Sequence, residues 1–197
     1  MLYRKIEKDI ENNSNRRYAD YTEDFDYLID SGIALDVKAI SNPTFPLIES
    51  ASKNLLKLYL NDVGLLTDIL YRNNINAVLN DRLSVNLGSV YESVVAQELK
   101  AHGHTLFYYD NKKNGEVDFL IDDYDSLSVV PLEVKSGKDY KVHSSLSHFV
   151  NTPDYHISKA YVLSNEARVF VENGITYIPI YYIMFFEANS SQQLILK

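Results

Sequence analysis

The sequence predicts an α/β chain in which a mixed sheet flanked by helices follows a small α+β region. Three observations carry that prediction. The second half runs as helix, three strand-like segments, helix and strand, the order that builds a sheet with helices on its faces. Its helical stretches repeat apolar residues every three to four positions, whereas its strand-like stretches alternate. The composition of 46% hydrophobic, 12% aromatic and 23% charged residues matches a packed chain and lacks the low-hydrophobicity signature of disorder. A length of 197 residues allows one ordinary domain or two small ones. The polar stretch Arg72–Asp81, with Asn73-Asn74 and Asn80-Asp81, is the seam, which divides the chain into 1–80 and 81–197.

The chain opens on a charged, asparagine-rich segment with Leu2, Ile6 and Ile10 at helical spacing. That pattern starts abruptly, as in a piece cut from a longer protein. From Arg17, the residues Tyr18, Tyr21, Phe25, Leu28 and Ile29 predict a helix, and Gly32 stands where a left-handed cap would end it. Ile33 to Ile40 alternates loosely, Asn42-Pro43 breaks the run, and Phe45 to Ile48 resumes across Pro46, so a two-stranded wing is expected. Helix plus wing is winged-helix-like, a module that docks DNA or protein. The acids Glu23, Asp24, Asp26 and Asp30 on that helix weigh against DNA. A short strand, Leu56 to Leu60, and a helix through Leu65, Leu66 and Ile69 complete this half.

In the second half, Leu87, Val90, Tyr91, Val94, Val95 and Leu99 form a broad helical stripe that ends at His102-Gly103-His104. Strands are expected over Thr105–Tyr109, Val117–Ile121 and Val129–Ser136, then a helix near Ser144–Val150 and a strand over Ala160–Ser164. The apolar run near Ile178–Phe186 is tyrosine-rich and strand-like, and too short for the roughly 18–20 residues of a membrane span. An N-terminus without an apolar signal core, in a chain without cysteine, predicts a cytoplasmic protein with no membrane role. No Gly-rich phosphate loop occurs, so this chain alone is not expected to hydrolyse ATP. The net charge of −8 is spread evenly, with 9 basic and 12 acidic residues in 1–80 against 10 and 15 in 81–197, so any nucleic-acid contact must be local.

The chemistry concentrates in two strands. Alternation through Glu116-Val117-Asp118-Phe119-Leu120-Ile121 puts Val117, Phe119 and Ile121 on one face and Asp118 on the other. In Pro131-Leu132-Glu133-Val134-Lys135, Glu133 and Lys135 share a face opposite Leu132 and Val134. The short polar turn Asp122–Ser126 lets the strands pair as a hairpin that brings Asp118 beside Glu133 and Lys135. Glu92, at the border of the helical stripe, leans toward the same patch, with Glu98 as its competitor for the inward position. Taken singly, these charges also fit a solvated strand face, or a hairpin acid beside Lys112 or Lys113. Taken together, packed carboxylates call for a divalent cation with oxygen ligands, balanced by Lys135.

The pattern of Glu92, Asp118 and Glu133-x-Lys135 resembles the PD-(D/E)xK nuclease superfamily of restriction endonucleases and related phosphodiesterases. More closely, the chain is similar to the uncharacterised C-terminal domain of bacterial and archaeal AAA-type ATPases. That likeness rests on Lys57-Leu58-Tyr59-Leu60-Asn61-Asp62-Val63-Gly64-Leu65-Leu66, Gly88-Ser89-Val90-Tyr91-Glu92, Glu98-Leu99, Glu116-Val117-Asp118-Phe119-Leu120 and Pro131-Leu132-Glu133-Val134-Lys135-Ser136-Gly137. The resemblance implies a restriction-endonuclease-like fold and a catalytic group of Glu92, Asp118, Glu133 and Lys135. Asp118, Glu133 and Glu92 would ligate Mg2+ or Mn2+, with Lys135 as the catalytic amine. It further implies DNA as substrate or partner and an AAA-type ATPase module upstream of Met1. Val117 stands where the superfamily has a proline before its aspartate. The same fold also serves as a non-catalytic module that docks an ATPase to protein or DNA.

The remaining candidates read more simply. Ser136, Lys138 and Lys141 could reach phosphate oxygens, but a lysine-rich surface loop suffices. His102 and His104 fit a helix end, where positive charge meets the C-terminal dipole. His143, His148 and His156 lack ligand spacing. The 16 tyrosines, Tyr108-Tyr109 and Tyr177–Tyr182 included, read as strand packing rather than base stacking.

Overall fold

A computed structural model describes residues 21–51, 55–72, 74, 76, 80, 86–137 and 139–188. Leu2, Ile6, Ile10, Tyr18 and most of the seam at Arg72–Asp81 lie outside them. The first element, α1 (Thr22–Asp30), buries Phe25 and stops at Gly32, whose φ of 73° and N–H bond to Ile29 O (2.9 Å) make the expected left-handed cap. Next come β1 (Ala34–Ile40), a 3-10 turn (Leu47–Ser50) and β2 (Leu56–Leu60). α2 (Val63–Tyr71) starts on Asp62, whose carboxylate accepts the Leu65 N–H at 2.9 Å.

Helix α3 (Gly88–Ala101) carries the long stripe, and Val95, Ala96 and Leu99 on it are fully buried. Strands β3 (Phe107–Asn111), β4 (Gly115–Asp123) and β5 (Ser128–Lys135), α4 (Ser144–Val150) and β6 (Tyr161–Ser164) fall within two residues of expectation, with β3 shifted two residues later and β4 extended by two at each end. Then follow β7 (Phe170–Glu172), β8 (Ile175–Pro179) and a 3-10 helix (Ile180–Phe185). The run near Ile178–Phe186 is therefore the end of a strand and a tight helical turn, not one strand.

The eight strands among the described residues join in one mixed sheet, ordered β2-β1-β3-β4-β5-β6-β8-β7. β1 lies parallel to β3, β5 to β6 and β6 to β8, and the other pairs are antiparallel. The chain is thus α/β, a mixed sheet flanked by helices. The expected wing differs: β1 pairs with Leu56–Leu60, while Phe45–Ile48 leads into a 3-10 turn. Pro46 starts that turn from an extended backbone and has no N–H to donate to a ladder. The strands before residue 80 are continuous with those after it.

Two cores lie on the two faces of the sheet. The α3 face holds Val37, Tyr59, Leu99, Tyr108, Phe119 and Leu132, and the α4 face holds Ile40, Leu47, Tyr109, Val117, Phe149 and Val162. Pro131 sits inside β5, yet the β5–β6 ladder begins only at Leu132, so the missing N–H breaks no rung. Among the described residues, no helix is long and apolar enough to cross a membrane.

Candidate acidic site at the junction of β4 and β5

β4 and β5 pair antiparallel, with Phe119 opposite Leu132 and Asp123 opposite Ser128, as the short polar turn predicts. Register with β6 sets Glu133 opposite Val162 and Lys135 opposite Ser164. Directly opposed residues share a face, so Glu133 and Lys135 point to the α4 side, and Leu132 and Val134 to the α3 side. The two charged ends meet. Lys135 Nζ lies 2.7 Å from Glu133 Oε1, with the lysine side chain 27% exposed and the glutamate 8%. Glu133 Oε2 is buried and has no hydrogen-bond partner.

Asp118 departs from the simple alternation. Val117 packs on the α4 face, whereas Phe119 and Ile121 pack on the α3 face. The cause is a bulge: Phe107 opposes Leu120 and Tyr109 opposes Val117, so three steps along β4 span two along β3. Asp118 stands in that irregularity. Its Oδ2 accepts the Val134 N–H at 2.7 Å, just past the last rung of the hairpin at Phe119 and Leu132. The side chain replaces the strand carbonyl that a regular ladder would offer.

The acids act on one another. Burial, then Glu133, then Glu92 raise the Asp118 pKa well above the usual carboxylate range, against the pull of Lys57 and the Val134 N–H. Burial also raises Glu133, opposed by Lys135, His143 and Lys57. Glu92 accepts a hydrogen bond from Tyr59 Oη at 2.8 Å. Burial, then Glu92 and Asp118, raise the Tyr59 hydroxyl well above its ordinary value. Of the two acids on α3, Glu92 bonds Tyr59 and is among the charges that raise Asp118.

Among the described residues, no three His, Asp or Glu side chains converge enough to hold a metal ion. Each acid has a different first partner: Tyr59 for Glu92, Val134 N–H for Asp118 and Lys135 for Glu133. Glu92, bonded to Tyr59, lies on the α3 side and Glu133 on the α4 side, so these two acids do not share the expected patch, while Asp118 feels the charge of both.

Three further residues belong to the site. Lys57 on β2 is buried, pairs with Glu116 and lies 4.5 Å from the centre of the Tyr108 ring. Its i, i+2 relation to Tyr59 on a short strand could have found both, since that spacing puts them on one face. His143, buried at the start of α4, bonds to Tyr177 Oη at 2.6 Å and to Ser147 Oγ at 3.1 Å, and its field reaches Glu133. Nothing in its spacing signals this.

The other histidines and lysines have ordinary roles. His102 ends α3, and His104 Nε2 contacts Phe186 O at 3.0 Å, with burial lowering the His104 pKa. Lys141 pairs with Glu172 at 2.8 Å, and Lys138 lies outside the described residues. Tyr108 and Tyr109 are buried packing residues, as expected.

Residues 87–183 match the family described as Domain of unknown function (DUF4143). The match spans α3 through the 3-10 helix and includes Glu92, Asp118, Glu133 and Lys135, but neither Lys57 nor Tyr59. No curated protein and no solved structure matches the chain.

Proposed function

We propose that this chain is a Mg2+-dependent, nuclease-like phosphodiesterase domain, cytoplasmic, that acts on DNA beside an AAA-type ATPase module. The observation that supports it is Asp118, whose carboxyl is pushed up by burial and then by Glu133 and Glu92, while Glu133 Oε2 stays buried without a partner. Like charges in a partly dry setting are costly, and such arrangements concentrate at functional sites. A divalent cation offsets that repulsion.

The donor set fits Mg2+. That ion is usually held by one or two carboxylates, several waters and substrate phosphates rather than by an all-protein cage. Asp118 and Glu133 would hold it, and Glu92, on the α3 side where Tyr59 bonds it, acts on Asp118 through its charge. When bound, it would polarise the phosphodiester and lower the pKa of a coordinated water. The chain's own groups do the rest. Val134 N–H fixes the Asp118 carboxylate, and Lys57 counters the acids from the α3 side. The Lys135 amine, partly exposed beside Glu133, can orient the attacking water and steady the phosphate.

Plasmid and single-stranded DNA incubated with the chain and Mg2+ or Mn2+ should be cut, and Lys135→Ala should cut at least about a hundred-fold more slowly, the scale of one general acid–base group. Equal cutting by the variant would assign the activity to a contaminant.

A second reading is a non-catalytic module that docks an ATPase onto a protein or DNA partner. The contact of Lys135 Nζ with Glu133 Oε1, which forms without a ligand, and the −8 charge favour it. Calorimetric titration separates the two. The enzyme reading requires Mg2+ or Mn2+ binding that Asp118→Asn abolishes, and the docking reading does not.

A further inference from the structure

A concavity separate from the acidic site lies between the β4–β5 turn and the 3-10 helix. Its volume is ≈ 220 Å³, and its walls include Ile121, Val130, Tyr161 and Phe186. Ligand pockets for drug-sized molecules run to about 300–1,000 Å³, so this one suits one or two side chains. Ile121 and Val130 belong to the α3-side core, which makes the floor apolar and firmly packed.

Beside the cavity, the 3-10 helix is pinned by buried Ile183 and turns Tyr181, Met184 and Phe185 outward at 59%, 52% and 69% exposure. Adjacent large apolar side chains exposed in this way mark interaction surfaces. The rim supplies the sign of the charge. Asp125 and Glu187 are exposed there, and the one lysine, Lys159, is already paired with Asp123 at 3.2 Å. Burial works against the Asp123 charge, but Ser126 and Lys159 outweigh it and hold the carboxyl below its usual pKa.

We propose that this cavity and the apolar edge beside it dock a partner segment in which a Lys or Arg is flanked by large apolar side chains. The aromatic wall takes the apolar residues, and the basic head meets Asp125 and Glu187 at the mouth. Arginine and aromatic anchors are the residues that dominate such contacts. Phosphate and acidic segments are repelled by the same rim, and the net charge of −8 reinforces that selection at long range.

Three labelled decapeptides test this by fluorescence anisotropy on the full chain: one with Arg between two pairs of Leu, one with Glu for Arg, and one with Ser for Leu. The first should bind, and the other two should bind at least tenfold more weakly. Asp125→Lys combined with Glu187→Lys should reverse the preference between the Arg and Glu peptides. Phe185→Ser should weaken the Arg peptide, and Asp118→Asn should leave it unchanged, which keeps this surface apart from the acidic site. Equal binding of all three peptides overturns the proposal. So does binding that appears only in a chain ending at Ala188, which would make residues 189–197 the occupant. Dimers in light scattering that vanish with Phe185→Ser would assign the surface to a second copy, with the same consequence.

Discussion

Asp118 holds its proton more tightly in the fold than in the unfolded chain, because burial, Glu133 and Glu92 all penalise its charge. Folding therefore takes up a proton, and the stability gained is present below the unfolded carboxylate pKa and lost as pH rises toward the raised folded value. Asp118→Asn keeps an oxygen for the Val134 N–H and carries no charge. It should raise the melting temperature at pH 7 in EDTA by a few degrees, at about 2–4 °C per kcal/mol for a chain of this size, and flatten the loss of stability as pH rises above the ordinary carboxylate range. Mg2+ should stabilise the native chain and not the variant. Melts in which Asp118→Asn is the less stable protein at pH 7 would refute the repulsion. Lys57→Met tests the opposite sign. It removes the Lys57–Glu116 ion pair and a charge that both Asp118 and Glu133 feel. A cost of about 1–2 kcal/mol is expected, below the 3–5 of a fully buried pair because the Glu116 side chain is 34% exposed. Urea midpoints give that cost, and carboxyl NMR titrations should show both acids protonating at higher pH.

The β4–β5 hairpin holds its strain at one residue, Leu127, whose φ of 50° lies in the left-handed region that disfavours branched side chains. Leu127 is 61% exposed, so little burial is lost on replacing it. Leu127→Gly should be neutral or stabilising by up to about 1 kcal/mol, the αL penalty less the added entropy of glycine in the unfolded chain. A fall in the urea midpoint would show that Leu127 packs more than its exposure suggests. Most elements were legible in the sequence because their periods are local: the α3 stripe, the alternation in β5 that pairs Glu133 with Lys135, and the Gly32 stop. The misses are non-local. The bulge at Asp118 depends on how β4 registers with β3, which the period of β4 alone does not encode. The wing failed because β1 chose Leu56–Leu60 over the nearer Phe45–Ile48. The β7–β8 hairpin did have a local signal in Asn173-Gly174, both at positive φ (52° and 78°), the residue pair that a two-residue turn with left-handed backbone favours.

The sheet ties the first 80 residues to the rest at the level of the whole molecule. β1 covers the edge of β3 by parallel pairing, from Lys38 opposite Phe107 to Ile40 opposite Tyr109. Val37, Ile40 and Leu47 are fully buried in cores that also contain Phe119, Tyr109 and Val117. Lys57 and Tyr59 reach from β2 to Glu116 and Glu92. Removing residues 1–80 would uncover β3 as a bare edge, expose Tyr108 and Tyr109 on its two faces, and leave the acidic group without its buried lysine. Unpaired apolar edges invite association. A chain of residues 81–197 should therefore lose its sharp unfolding transition and elute as aggregate in size exclusion, while the full chain unfolds in one step by far-UV circular dichroism and tyrosine fluorescence alike. Two separated transitions in the full chain, the second matching that of a soluble 81–197 fragment, would mean that the sheet spans two independently stable units. A single transition would make the region before residue 80 part of the acidic site's scaffold, so that a variant there, such as Tyr59→Phe, would act on Glu92 directly rather than through a separate domain.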